Sequence, residues 1–194
     1  MMLRMTAIAA LCAVAAGCGS SPPSRFYTLS AARVPLGAPT ELSLAVGPVS
    51  VPAAVDRPQI VVSVGPNQVR LEEFNRWAAP LQNNISRVVV ENLVAMLGTP
   101  RVTLFPQSTG EVADYRVVID VQRFDSVPGD AATVDALWSV RRAKDGKTER
   151  GHTSAREAVK NKDYDALAAG HSRAVARLSQ DIANAVRALE GSGR

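Results

Sequence analysis

The sequence predicts one domain of the α/β (α+β) class: a mixed, mostly antiparallel sheet with two long helices packed on it. Three observations carry the prediction. Apolar residues recur at three- and four-residue steps over 81–97 and again over 164–189, which is the signature of amphipathic helices. Between these stretches, two runs, 115–121 and 134–140, alternate apolar and polar residues at period two, which is the signature of half-buried strands. Helices and strands that are largely segregated along a chain fit helices layered on one sheet face.

Phe26-Tyr27-Thr28-Leu29 has high strand propensity and forms the first predicted strand. Residues 31–39 read as a loop, with Pro35, Gly37 and Pro39. Leu42, Leu44 and Val46 alternate with Ser43 and Ala45 in a second strand. Pro48, Pro52 and Pro58 then leave 49–58 extended but irregular, because proline cannot donate to a sheet ladder. Ile60 to Val64 and Gln68 to Leu71 are two strands, joined by a hairpin turn at Gly65-Pro66-Asn67.

The first long helix follows Pro80, with Leu81, Ile85, Val88, Val89, Leu93, Met96 and Leu97 on one face. Proline suits a helix start, and Gly98 with Pro100 ends it. The β-branched Val88-Val89-Val90 alone favours a strand, but the longer period outweighs it. Val102 to Phe105 is a short strand. Tyr115 to Val121, Val134 to Val140 and Thr148 to Val159 form a predicted antiparallel meander, with Asp145-Gly146 as a two-residue hairpin signal.

The last helix is the clearest element. Asp163 is the expected N-cap. Leu167, Val175, Leu178, Ile182, Val186 and Leu189 form its apolar stripe, and Arg173, Arg177, Asp181, Asn184 and Arg187 its polar face. Burial in the domain core is the first reading of the stripe. Its spacing also suits a helix–helix contact between subunits, which leaves a homo-oligomer open.

Residues 1–17 form a secretory signal peptide: Arg4 in a short basic region, an apolar run from Ala7 to Ala16, and a small residue before a cysteine. As a helix the run spans about 18 Å, against a hydrocarbon core of ~30 Å. Ala15-Ala16-Gly17-Cys18 is the pattern of a lipoprotein processing site, so Cys18 is the expected lipidation site. Ordinary cleavage nearby, without lipid, is the alternative. Residues 18–25 hold the lipidated cysteine and a polar tether, 26–190 the folded domain, and 191–194 a polar tail. Cys12 leaves with the signal, so the exported domain has no cysteine pair for a disulfide and relies on its own core. Roughly 180 residues remain, enough for a substantial one.

The net charge of +4 is scattered, and no basic stretch is interleaved with aromatics, so nucleic-acid binding lacks support. His152 and His171 are far apart and in no metal-spaced motif; no metal site, cofactor or catalytic residue is expected beyond the covalent lipid on Cys18. The chain is expected not to be an enzyme.

Several segments together resemble one family, the PqiC-type or ABC-type transport auxiliary lipoproteins that accompany MCE-domain transporters. The matching pieces are Phe26-Tyr27-Thr28-Leu29, Asp56-Arg57-Pro58-Gln59-Ile60-Val61, Arg76-Trp77-Ala78-Ala79-Pro80-Leu81, Asp114-Tyr115 to Phe124, Trp138, and Tyr164 with Ile182-Ala183. They follow the family's order over nearly the whole domain; Ala79 departs from a position that is often acidic there. The resemblance implies a periplasm-facing accessory subunit of an intermembrane lipid transport system, supporting outer-membrane integrity. Its implied partners are an MCE ring protein and, through it, an inner-membrane ABC transporter, with a lipid ligand as a further reading. Gly19 after Cys18 is similar to lipoproteins sent to the outer membrane.

The expected partner-binding residues are Asp56, Arg57, Arg76 and Trp77, because both segments pair an Arg with a rigid or aromatic residue. Trp77 as a core anchor and Asp56-Arg57-Pro58 as a simple turn are the competing readings. The alternative function is a structural envelope lipoprotein that binds neighbouring proteins or cell wall without transporting lipid.

Overall fold

The computed structural model describes residues 21–106 and 113–191. Cys18 and the signal segment lie outside the described residues.

Among the described residues, eight strands and two helices follow one another as β1 (Arg25–Tyr27), β2 (Leu44–Ser50), β3 (Gln59–Gly65), β4 (Gln68–Trp77), α1 (Leu81–Leu97), β5 (Val102–Leu104), β6 (Tyr115–Val127), β7 (Ala131–Arg142), β8 (Thr148–Ala158) and α2 (Tyr164–Gly191). The strands divide between two sheets, where a single one is the simplest reading of the alternation. A five-stranded sheet has the order β5-β2-β6-β7-β8 and a three-stranded sheet the order β1-β4-β3. β6, β7 and β8 are the expected antiparallel meander. β2 runs parallel to both β5 and β6, which makes the larger sheet mixed.

The core follows the alternation. Val117, Ile119, Val121 and Phe124 of β6 and Val134, Ala136 and Val140 of β7 point inward and are buried. α2 packs across β7, β8 and α1, laying Leu167, Val175, Leu178, Ile182, Val186 and Leu189 on the sheet. Each such side chain contributes roughly 1.5–3 kcal/mol on burial. α1 buries Ile85, Val88, Val89 and Leu93 alongside. Its valine run is helical because the buried stripe outweighs a weak β preference. Between the helices, the Asn92 Nδ2 amide donates to Ser179 Oγ at 3.1 Å while Asn92 Oδ1 accepts from the Ala32 backbone at 2.8 Å. A buried amide satisfied on both sides fixes how α1 and α2 meet.

The helix ends follow local chemistry. Asp163 Oδ1 accepts from the Ala166 backbone N–H at 2.6 Å, the expected N-cap. Gly98 closes α1 in the left-handed region, with φ 64°, and a Cβ there would lie 2.3 Å from the Ala38 carbonyl oxygen. Gly170, a weak helix former inside α2, also has a packing reason: a Cβ would come within 2.8 Å of Val159 and 2.9 Å of Ala132. The close approach of α2 to the sheet requires a residue without a side chain.

Three local expectations change. β2 continues through Pro48 to Ser50, because its ladder to β6 shifts register between Val46 and Val49 and steps over the proline. β4 extends past Leu71 to Trp77. The β7–β8 connection is a four-residue loop rather than a two-residue turn: the Arg142 backbone N–H donates to Lys147 O at 2.8 Å, and Asp145 Oδ1 accepts from the Lys147 backbone at 3.2 Å. The Asp145 side chain stabilises the wider loop.

Candidate docking site

The candidate site is built at the start of β3 and the end of β4. Residues 52–58 fold into a compact turn bounded by prolines: Val55 and Asp56 N–H groups donate to Pro52 O at 3.0 and 3.1 Å, and Arg57 N–H donates to Val55 O at 2.9 Å. Pro58 O then accepts from the Trp77 backbone at 2.7 Å, and Gln59 pairs with Arg76 in the ladder. The two segments singled out in the sequence therefore meet in space, joined by backbone hydrogen bonds.

Their side chains differ in accessibility. Asp56 and Pro58 are exposed, and Arg57 is half-buried. The Arg57 Nε–H is buried without a hydrogen-bond partner among the described residues. Closed off from solvent, that Nε–H cannot itself meet a group from outside; the accessible surface of the turn is Asp56, Pro58 and the remainder of the half-buried Arg57. Arg76 is committed: its Nε donates to Glu73 O at 2.7 Å and its Nη2 lies 3.6 Å from the Glu73 carboxylate. Trp77 is 5% exposed and lies inside the core, edge-on to Phe124 with ring centroids 6.1 Å apart. Arg76 and Trp77 occupy strand positions rather than a loop, so the accessible part of the site is the Asp56-Arg57-Pro58 turn.

Two constellations were not legible in the sequence. Ser126 Oγ and His171 Nε2 share a hydrogen bond at 2.8 Å, and the His171 ring stacks on Phe124 at 3.8 Å and 8°. Burial pushes the His171 pKa down to about 3, so the ring is neutral at pH 7. Both residues are sealed from solvent, and His171 Nδ1 has no partner to orient it. A serine–histidine pair without access or a third group packs; it has no route to a substrate. The other constellation lies at the far end of α2. Arg142, 2% exposed, holds Asp145 through two hydrogen bonds of 3.0 and 2.7 Å and also donates to the Leu189 carbonyl. This cation caps a helix whose last turn has no basic residue. Bonding to Arg142 holds the Asp145 carboxyl down at about 2.

Beside that cap, an open groove of about 760 Å³ is lined by Leu42, Met96, Leu97, Tyr115, Arg142 and Arg187. Its two guanidinium groups are already bonded, Arg142 as above and Arg187 to Met96 O at 2.6 Å. Tyr115, raised to about 12 by burial and by its hydrogen bond to Glu190, is equally engaged. Among the described residues, no cluster of His, Cys, Asp or Glu is arranged to hold a metal, and no helix is long and apolar enough to cross a membrane.

Comparison with known proteins adds the following. A family model for the ABC-type transport auxiliary lipoprotein component matches residues 27–183. No curated protein matches the chain. Among solved structures, an uncharacterized protein aligns with a TM-score of 0.69 at 20% identity, over 85% of this chain and 99% of its own. A Xanthomonas campestris protein of the DUF330 family aligns with a TM-score of 0.68 at 20% identity, over 88% of this chain and 100% of its own. At that identity the two structures establish a shared fold.

Proposed function

The chain belongs to the ABC-type transport auxiliary lipoprotein family, and from that premise we propose that it is the accessory subunit of an MCE-type intermembrane lipid transport system. In this role it is anchored through Cys18 in the outer membrane, faces the periplasm, and docks on an MCE ring protein. The ring connects it to an inner-membrane ABC transporter. The accessory role is one of contact and positioning, with no chemistry of its own.

The observation that carries the docking assignment is the exposed, charged Asp56-Arg57-Pro58 turn, held to a rigid scaffold by backbone hydrogen bonds. Asp56 offers the opposite charge beside Arg57, so the turn suits a partner surface with a carboxylate or carbonyl acceptor for Arg57. Charge pairs of this kind set orientation and encounter rate more than raw affinity.

The test is co-purification of the native chain with the MCE protein and ABC ATPase of the same cell. Recovery of both supports the transport role. Binding to isolated peptidoglycan with neither protein recovered assigns the chain to the structural alternative.

A further inference from the structure

The three-stranded sheet exposes apolar side chains that the fold does not need. Among the described residues, Phe26, Val64, Val69, Leu71 and Phe74 make up five of the eight large hydrophobics left exposed. All five are on β1, β3 or β4, so the exposure is concentrated rather than scattered. Val69 and Leu71 share a face of β4 by alternation, and Val64 and Val69 flank the hairpin tip. The tip itself, Ser63-Val64-Gly65-Pro66-Asn67-Gln68-Val69, carries no charge. Its first charged residue is Arg70, whose side chain is 60% exposed.

The direction of the tip is fixed by the ladder. β1 is parallel to β4, with Arg25 opposite Asn75 and Tyr27 opposite Trp77. Going back along the chain from Arg25 therefore leads toward the tip at Gln68. Pro22 and Pro23 share a surface hollow with Phe74 and Asn75 of β4 and with Lys162 to Asp165 at the start of α2. The seven residues from Cys18 to Arg25 reach at most about 24 Å. The seven from Gln68 to Asn75 cover about 23 Å of strand. A lipid on Cys18 and the apolar hairpin tip can thus lie at the same level.

We propose that the β3–β4 hairpin is a second membrane contact: its uncharged tip, with Val64, Pro66 and Val69, enters the lipid surface that holds the Cys18 anchor. The inference rests on the lipidation of Cys18 in the proposed function. From Asn67 to Arg70 the strand spans about 10 Å. That carries the tip through a headgroup layer of roughly 5–8 Å and leaves Arg70, ion-paired with Glu72 at 2.5 Å, at the level of the headgroups, where a long cationic side chain can snorkel to water and phosphate. A diacylglyceryl anchor holds the chain at the surface through one flexible point, and an added contact fixes its orientation. The Asp56-Arg57-Pro58 turn, whose Pro58 is seven residues from Gly65 or about 23 Å along the strand, is then held away from the membrane.

The test uses the processed, lipidated chain with one added cysteine carrying an environment-sensitive fluorophore, at Val69→Cys or, in a second protein, Val64→Cys. A third protein, Leu137→Cys, places the label at an exposed apolar position on the other sheet. Each is bound to vesicles of phosphatidylethanolamine and phosphatidylglycerol, with and without a spin-labelled lipid quencher. The expected result is a severalfold rise in emission at positions 64 and 69, abolished by the quencher, and neither effect at 137. Labels at 64 and 69 that stay dim and unquenched on protein that floats with the vesicles overturn the inference and leave the anchor intact. Protein that does not float, with Cys18 unmodified by mass spectrometry, removes the anchor and the inference with it. Labels already bright in the Cys18→Ser protein without vesicles assign the patch to a contact between proteins and overturn the proposal.

Discussion

The backbone N–H of Trp77 donates to the carbonyl oxygen of Pro58 at 2.7 Å, which ties a buried core anchor to the exposed turn that carries Arg57. The two residues are neighbours, yet their side chains have separable roles. Trp77 fills the core against Phe124 and His171. Among the described residues, none accepts a hydrogen bond from Arg57 Nε. Trp77→Ala is expected to cost about 3–5 kcal/mol of stability, in the range of large aromatic truncations. Arg57→Ala removes an unmade buried donor and is expected to cost less than about 1 kcal/mol. Denaturant midpoints of the two variants check this, and a comparable loss in both would show that Arg57 is structural.

The stripe of α2 gives a second comparison. Ile182 is fully buried, whereas Arg177 is exposed on the same helix. Ile182→Ala is expected to cost about 2–5 kcal/mol through lost burial and a residual cavity. Arg177→Ala is expected to stay within about 0.5 kcal/mol. Urea unfolding followed by circular dichroism measures both, and equal small effects would contradict packing of the stripe in the core.

Much of this was legible in the sequence because burial has a period. The 3.6-residue rhythm of 81–97 and 164–189 and the two-residue rhythm of 115–121 and 134–140 predicted helices and strands that the fold contains. What periodicity does not carry is partner choice between strands. Nothing in Phe26-Tyr27 says that it will pair in parallel with Asn75 to Trp77, so the division into two sheets was not legible. The site was legible in part. Arg57 and Trp77 were singled out by residue type, but residue type does not report burial, and Trp77 proves to be a core residue. In the sequence, Arg142 is simply one of two adjacent arginines, Arg141 and Arg142. Its role as the cap of α2 depends on contacts to Leu189 that are 47 residues away.

His171 sets a pH dependence. Its pKa is pushed down to about 3 in the folded protein by burial, against about 6.5 for a free imidazole. The folded state therefore holds the neutral ring, and its full contribution is present above pH 6.5. As pH falls from 6.5 toward 3 the unfolded chain binds a proton that the folded chain does not, so stability is lost. The expected loss is about 1.4 kcal/mol per pH unit, or about 2 kcal/mol by pH 5. The Arg142–Asp145 pair does not confuse this window, because Asp145 stays ionised down to about 2. Unfolding midpoints between pH 7 and 5 should fall in the native chain and fall much less in His171→Leu.

Anchoring is tested at Cys18. With lipid on that residue, Cys18→Ser is expected to abolish acylation and release the domain from membranes into a soluble fraction. Mass spectrometry of the native N-terminal peptide decides the matter: a diacylglyceryl cysteine is the expected species, and an unmodified Cys18 would contradict the anchor.

The central claim is that the Asp56-Arg57-Pro58 turn docks an MCE protein, and retention of that purified protein by the immobilised mature chain tests it most directly. Interface hot spots that involve arginine cost about 2 kcal/mol or more when truncated. Arg57→Ala should therefore weaken retention at least roughly 30-fold while its unfolding midpoint stays at the native value. Arg76→Ala, whose guanidinium is occupied by Glu73, should weaken it less. Undiminished retention by Arg57→Ala, or retention lost only together with stability, would contradict the assignment of the docking site.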